Sequence, residues 1–211
     1  MRSAGDVAEA LRESLVSGEF APGRRLVEAD LCRRYDASRG SVREALTRLA
    51  VDGYVVLVPN RGARVRAMSL DEMVAAIEVR GAVEELCAAR AAERLTPAQD
   101  ERLRILATRM RDAVGAADLC GYRRLDAELH GTIRDFSGQA TASAVADRFA
   151  ALTAWPRARL LRHPGRAADS LAEHLAIVEA VRAGDPRRAG RAMRIHIEAV
   201  LAALTTFPGD A

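Results

Sequence analysis

The chain offers only two runs that read as β-strands, Tyr54–Val58 (YVVLV) and Ala63–Arg66 (ARVR), with Pro59-Asn60-Arg61-Gly62 between them. Strands joined by so short a connection pair with each other as a hairpin. The other periodic segments carry apolar residues at helical spacing. The fold is therefore expected to be mainly α, with one local hairpin.

Three helices should precede that hairpin. Val7, Leu11 and Leu15 recur along one face, and Gly18 ends their helix. The stretch EFAPGRRL reads as a Pro-Gly turn, and a short helix follows from Glu28 to Tyr35. Asp36-Ala37-Ser38 breaks it, and Ser38 can N-cap the next helix, Arg39 to Asp52. There Val42, Ala45, Leu46 and Leu49 face inward, while Arg39, Ser41, Arg43 and Thr47 lie off that stripe. This order is a winged helix-turn-helix pattern. A helix fits the DNA major groove, with its N-terminal polar residues toward base edges, and the hairpin can reach phosphates. The plainer alternative is a small α/β subdomain with an incidental hairpin.

From Ser69 onward strand signals vanish. Six helices are expected, at 69–95, 97–115, 118–137, 140–162, 166–184 and 185–206, punctuated by Pro97, Gly138, Pro164-Gly165 and Gly184-Asp185-Pro186. The predicted architecture is a winged helix-turn-helix domain, 1–67, and an antiparallel all-helical bundle, 68–211.

Charge separates the two parts. Residues 1–67 hold 12 Arg against 9 acids, and the excess concentrates in 24–66, with 10 against 5. A local basic excess is what a polyanion partner requires. All 32 basic residues are Arg, and Asn60 is the sole Asn, which reads as a compositional bias. No apolar run approaches the 18 or so residues a membrane span needs. Asp6, Glu9 and Glu13 interrupt any secretory signal at the N-terminus. Cys32, Cys87 and Cys120 form no CxxC, which argues against a disulfide framework or a Cys-based zinc site and fits a reducing cytoplasm.

The bundle contains the chemically suggestive residues. Asp126 and His130 stand four apart on one helix, so both side chains leave the same face. His174 and His196 lie in two later helices, each bordered by apolar residues. A lone His on such a face is ordinarily a hydrogen-bonded core residue. Three of them with an Asp could instead converge on a divalent ion, zinc or nickel by ligand type. The residues alone leave both readings open. His163, before Pro164, reads as a surface or cap residue, and Trp155 as core or pocket lining.

The stretch GEFAPGRRLVEADLCRRYDASRGSVREALTRLAVDGYVVLVPNRGARV resembles the DNA-binding signature of the GntR superfamily of bacterial transcription regulators. The matching features are a Pro-Gly turn, L-x-E-x-x-L, S-R-x-x-V-R-E-A-L-x-x-L and a wing with a glycine at its tip. The stretches LDAELHGTIRDFSGQ, AEHLAIVEAVRAGD and AMRIHI resemble the FCD effector domain of the FadR-type branch, and the six-helix count resembles its shorter VanR-like subgroup. Three positions depart from the usual pattern: Leu129 stands where Phe is common, Gln139 where Asn is usual, and Ala29 where an Arg often stands.

The resemblance implies a cytoplasmic homodimer that binds double-stranded DNA at a short inverted repeat, in the geometry two-fold symmetry dictates. It implies base or phosphate contacts from Arg39 and Arg43, phosphate contacts from Ser38 and Ser41, and a wing tip, Asn60-Arg61-Gly62, beside the minor groove. For each Arg the alternative is a solvated helix face. It further implies a divalent metal on Asp126, His130, His174 and His196, and a small carboxylate effector with Arg80 as a second anchor. Arg80 could equally form a surface ion pair with Glu84. The implied activity is regulatory, that of a repressor. Other readings are a metal-responsive sensor, or a metal-dependent enzyme on the bundle. Against the enzyme, no general base is placed beside the ligands: Glu128 and Glu173 adjoin them in sequence, where neighbours point elsewhere on a helix.

Overall fold

The computed structural model describes residues 1–16, 18–59, 62–153 and 159–206. They fall into two compact units, one containing Met1–Met73 and the other Val74–Phe149 with the described residues from 159 onward.

The first unit contains α1 (Ala4–Val16), β1 (Arg25–Leu26), α2 (Glu28–Tyr35), α3 (Arg39–Val51), β2 (Val55–Val58) and β3 (Gly62–Val65). Val7, Leu11 and Leu15 of α1 pack with Val42, Ala45, Leu46 and Leu49 of α3 in one buried core, which Val55, Ala63 and Val65 close from the sheet side. Asp36 ends α2 in the left-handed region at φ 47°, and Ser38 caps α3 by accepting a hydrogen bond from the Ser41 backbone N–H.

The sheet has one strand more than the sequence suggests. Its order is β1-β3-β2, antiparallel throughout, with Val55 opposite Val65 and Arg25 opposite Arg64. Two residues are too few to show alternation, so β1 is invisible in the pattern and forms because β3 offers it an edge. Gly62 is tied to this pairing. Its φ is +83°, and a Cβ added there would stand 2.7 Å from the Leu26 carbonyl oxygen. Only glycine meets both conditions.

The second unit is helical: α4 (Leu70–Arg94, entering from the first unit), α5 (Pro97–Gly115), α6 (Leu119–Ser137), α7 (Ala140–Leu152), α8 (Arg166–Arg182) and α9 (Pro186–Thr206). The start and stop signals act as their chemistry requires. Thr96 and Gln99 form a reciprocal capping box with Pro97 in the first turn of α5, Asp118 caps α6, and Gly138 ends it in the left-handed region. α7 is shorter than expected, since its helix stops at Leu152 and Thr153 is a turn. Trp155 lies outside the described residues. The core runs through Leu103, Leu106, Met110, Leu129, Ile133, Ile177, Val181, Met193 and Ile197. α5 packs on both α6 and α8, and α8 on α9. Gly81 lets α4 approach α9 closely, because a Cβ there would meet Ile197 at 2.7 Å. Cys32, Cys87 and Cys120 are free thiols.

Gly62→Ala should destabilise the first unit by about 1–3 kcal/mol through backbone strain and loss of the β1–β3 contact. Chemical denaturation of the two proteins measures it, and an unchanged midpoint would show that the β1 pairing is dispensable.

Candidate metal centre and nucleic-acid interface

The polar interior of the helical unit is built from stripes of side chains four residues apart, which share one face of a helix. Tyr122, Asp126, His130 and Arg134 form such a stripe on α6, Arg166, Ser170 and His174 one on α8, and Arg80 with Glu84 a shorter one on α4. His196 comes from α9.

Asp126, His130, His174 and His196 converge, with one potential ligand atom from each lying within 4.8 Å of all the others. His174 Nε2 is 3.0 Å from Asp126 Oδ1, His130 Nε2 is 3.5 Å from the same oxygen, and the two Nε2 atoms are 3.4 Å apart. The three imidazoles are fully buried and Asp126 is partly so. Donors about 2.0–2.2 Å from one zinc ion stand roughly 3–3.5 Å from each other. The three separations fit that spacing.

Each imidazole is held at its other nitrogen. The Tyr122 hydroxyl donates to Ser170 Oγ at 3.0 Å and lies 2.9 Å from His174 Nδ1, so it accepts the Nδ1 proton. Burial pushes the Tyr122 phenol up, which keeps that hydroxyl protonated. His196 Nδ1 donates to Glu173 Oε2 at 2.7 Å. His130 Nδ1 lies 2.5 Å from Glu84 Oε2, a close contact without the alignment of a hydrogen bond. A proton on Nδ1 leaves the Nε2 lone pair for the centre, and such outer partners orient metal-binding histidines and raise their basicity. The donor set fits a borderline divalent ion.

Arginines compensate the outer carboxylates. Burial alone would raise the Glu84 carboxyl, but Arg80 and His130 outweigh it and hold it well below the usual range. Arg80 Nε donates to Glu84 Oε1 at 2.8 Å, and Arg134 Nη1 reaches the same oxygen at 3.1 Å. Burial raises the Glu173 carboxyl against two hydrogen bonds from Arg166, at 2.9 and 3.1 Å.

Two expectations change here. The Arg80–Glu84 pair exists, but it is 1% exposed on both sides and lies against a histidine of the cluster instead of on the surface. Glu173 does reach the site, because it contacts His196 across the α8–α9 packing. Glu128 stays outside, paired with Arg109 at 3.3 Å. Sequence spacing missed Tyr122, Arg134 and Arg166, although the four-residue stripe through Asp126 and His130 passes through the first two.

In the first unit, Arg39 and Arg43 are exposed on α3, and Ser38 and Ser41 sit at its N-terminus with their hydroxyls 3.0 Å apart. A groove of about 700 Å³ runs between α3 and the hairpin, lined by Arg25, Glu28, Arg39, Arg43 and Gly62 among others. Arg43 Nε donates to both carboxylate oxygens of Glu28, at 3.0 and 2.9 Å. Asn60 and Arg61 lie outside the described residues.

Comparison with known proteins agrees with this geometry. Residues 3–65 match the family described as bacterial regulatory proteins, gntR family, and residues 75–199 match the FCD domain. The chain is similar to the HTH-type transcriptional repressor NanR of Cronobacter sakazakii, 30% identical over 93% of this chain and 83% of that one. It is also similar to the HTH-type transcriptional repressor RspR of Escherichia coli K12, 28% identical over 90% and 83%. Among solved structures, E. coli McbR/YncC superposes with a TM-score of 0.88 at 20% identity, over 98% of this chain and 99% of that one, a likeness of fold.

Arg80→Ala should destabilise the helical unit by about 3–5 kcal/mol, because it strips a partner from a fully buried carboxylate. Urea unfolding checks it. A change below about 1 kcal/mol would show that Arg134 and His130 suffice for Glu84.

Proposed function

This chain belongs to the gntR family of bacterial regulatory proteins, in the group with a C-terminal FCD domain, and on that premise we propose that it is a repressor governed by a metal-anchored small acid. It is a transcriptional regulator and not an enzyme, as are its relatives. Residues 1–67 bind DNA through α3 and the wing, and residues 68–211 sense the effector and dimerise. Repression is supported by the names of the NanR and RspR relatives. No helix among the described residues is long and apolar enough to cross a membrane, and work on DNA is in keeping with a cytoplasmic protein.

The observation that carries the sensing half is the convergence of Asp126, His130, His174 and His196, each imidazole held at Nδ1 by a different partner. These four residues hold a divalent ion, zinc or nickel by ligand type. When bound, the ion supplies Lewis acidity that attracts the carboxylate of a small organic acid. The protein's part is to orient the imidazoles, to neutralise Glu84 and Glu173 with Arg80, Arg134 and Arg166, and to keep the surroundings dry. Because Glu84 engages Arg80, its contribution to acid binding is to the charge of the site. The acid alters DNA affinity only by its differential affinity for the DNA-competent and DNA-released states. Assembly as a homodimer on an inverted repeat is supported by Val79 and Leu86, apolar and 47% and 45% exposed two turns apart on α4.

Zinc added to chelator-treated protein should raise the melting temperature by several degrees, as about 2.7 kcal/mol at a hundredfold excess over Kd implies. His174→Ala should abolish the rise. A panel of small carboxylates tested on both forms should show one acid that stabilises only the metal-loaded protein and weakens DNA binding. A DNA response to metal alone would support the metal-sensor reading, and no response to either would refute the sensing half.

A further inference from the structure

Arg43 is a candidate DNA contact whose guanidinium is already committed within the first unit. Glu28 takes its Nε with both carboxylate oxygens, at 3.0 and 2.9 Å. The anchoring is one-sided: the Glu28 side chain is 23% exposed and that of Arg43 68%. Glu28 opens α2, where the positive end of the helix favours its charge. Both residues line the groove between α3 and the hairpin, as do Arg25 and Arg39.

We infer that Glu28 is a positioning residue that makes Arg43 a reader of guanine and not a phosphate clamp. A guanidinium presents its donors in a rigid planar fork. With Nε engaged, the terminal Nη1/Nη2 edge is the one directed outward, and two parallel N–H groups match guanine O6 and N7. A phosphate is the wrong partner for this couple. Its charge would meet the Glu28 carboxylate, and an arginine already neutralised has little charge left to displace counterions. A base edge is uncharged and brings no such repulsion. The Glu28 carboxylate can also accept from cytosine N4, so the couple favours a G·C pair. This inference rests on α3 being the helix that enters the major groove.

The test selects duplexes from a randomised pool with the full-length protein and compares base preferences of the wild type, Glu28→Gln, Arg43→Ala and Arg39→Ala. Arg43→Ala and Glu28→Gln should both flatten a guanine preference at the same half-site position, by about tenfold, and leave the other positions intact. Glu28→Gln should also bind random-sequence DNA more tightly than wild type, because a negative charge leaves the binding face. A merely structural role moves that affinity the other way, and a melting curve with Glu28→Asp as a second variant separates misfolding from lost aim. The inference is overturned if Glu28→Gln keeps the full profile while Arg43→Ala loses a position, or if it lowers all positions alike. If neither Arg39→Ala nor Arg43→Ala alters DNA binding, the assignment of α3 falls and takes this inference with it.

Discussion

A fully buried carboxylate, Glu84, organises the polar half of the helical unit. Leaving such a group unpaired would cost several kcal/mol, so its surroundings must answer it. Arg80 and Arg134 close on one oxygen and His130 on the other. That demand brings α4 and α6 together in one register. It also fixes the His130 ring, whose Nε2 then faces Asp126 and His174. Arg134 extends the network to Asp147 on α7, at 2.5 Å. The α4–α6 pairing and the setting of the His130 ring thus share one electrostatic requirement.

Glu173 repeats the device on the opposite side, with Arg166 as its counter-charge and His196 as the imidazole it steers. The third imidazole uses a neutral partner, Tyr122, which burial keeps protonated. Glu84 and Glu173 thus each face an arginine, and Asp126 faces the imidazoles of His130 and His174. The centre of the cluster is accordingly where we propose that a divalent cation binds, with Asp126 as its anionic ligand.

Much of this was legible in the sequence, and the limits have physical causes. Apolar periodicity and the punctuation at Pro97, Gly138 and Gly184 marked the helices because those signals are local. Asp126 and His130 announced themselves through four-residue spacing on one helix. The two-residue strand β1 could not be seen, since its only reason to extend is an edge presented by β3, 37 residues later at the Leu26–Ala63 pair. Adjacent helix positions diverge, so sequence spacing points Glu173 away from His174, yet α9 supplies His196 on the side Glu173 faces. Spacing predicted the Arg80–Glu84 pair but not its depth, which only the packing of the other helices around α4 decides. A helix over 140–162 would carry Pro156 in its interior, where proline removes a backbone N–H, and that is the stop signal the apolar pattern hides.

The central claim is that four side chains from three helices form one divalent-metal centre. X-ray absorption at the zinc edge of the reconstituted full-length protein tests it directly. Three imidazole nitrogens and one carboxylate oxygen about 2.0–2.2 Å from the ion, at one ion per chain, are the predicted result. Sulfur scattering from a cysteine, or a failure to retain stoichiometric metal, would contradict it and make the cluster a hydrogen-bonded core.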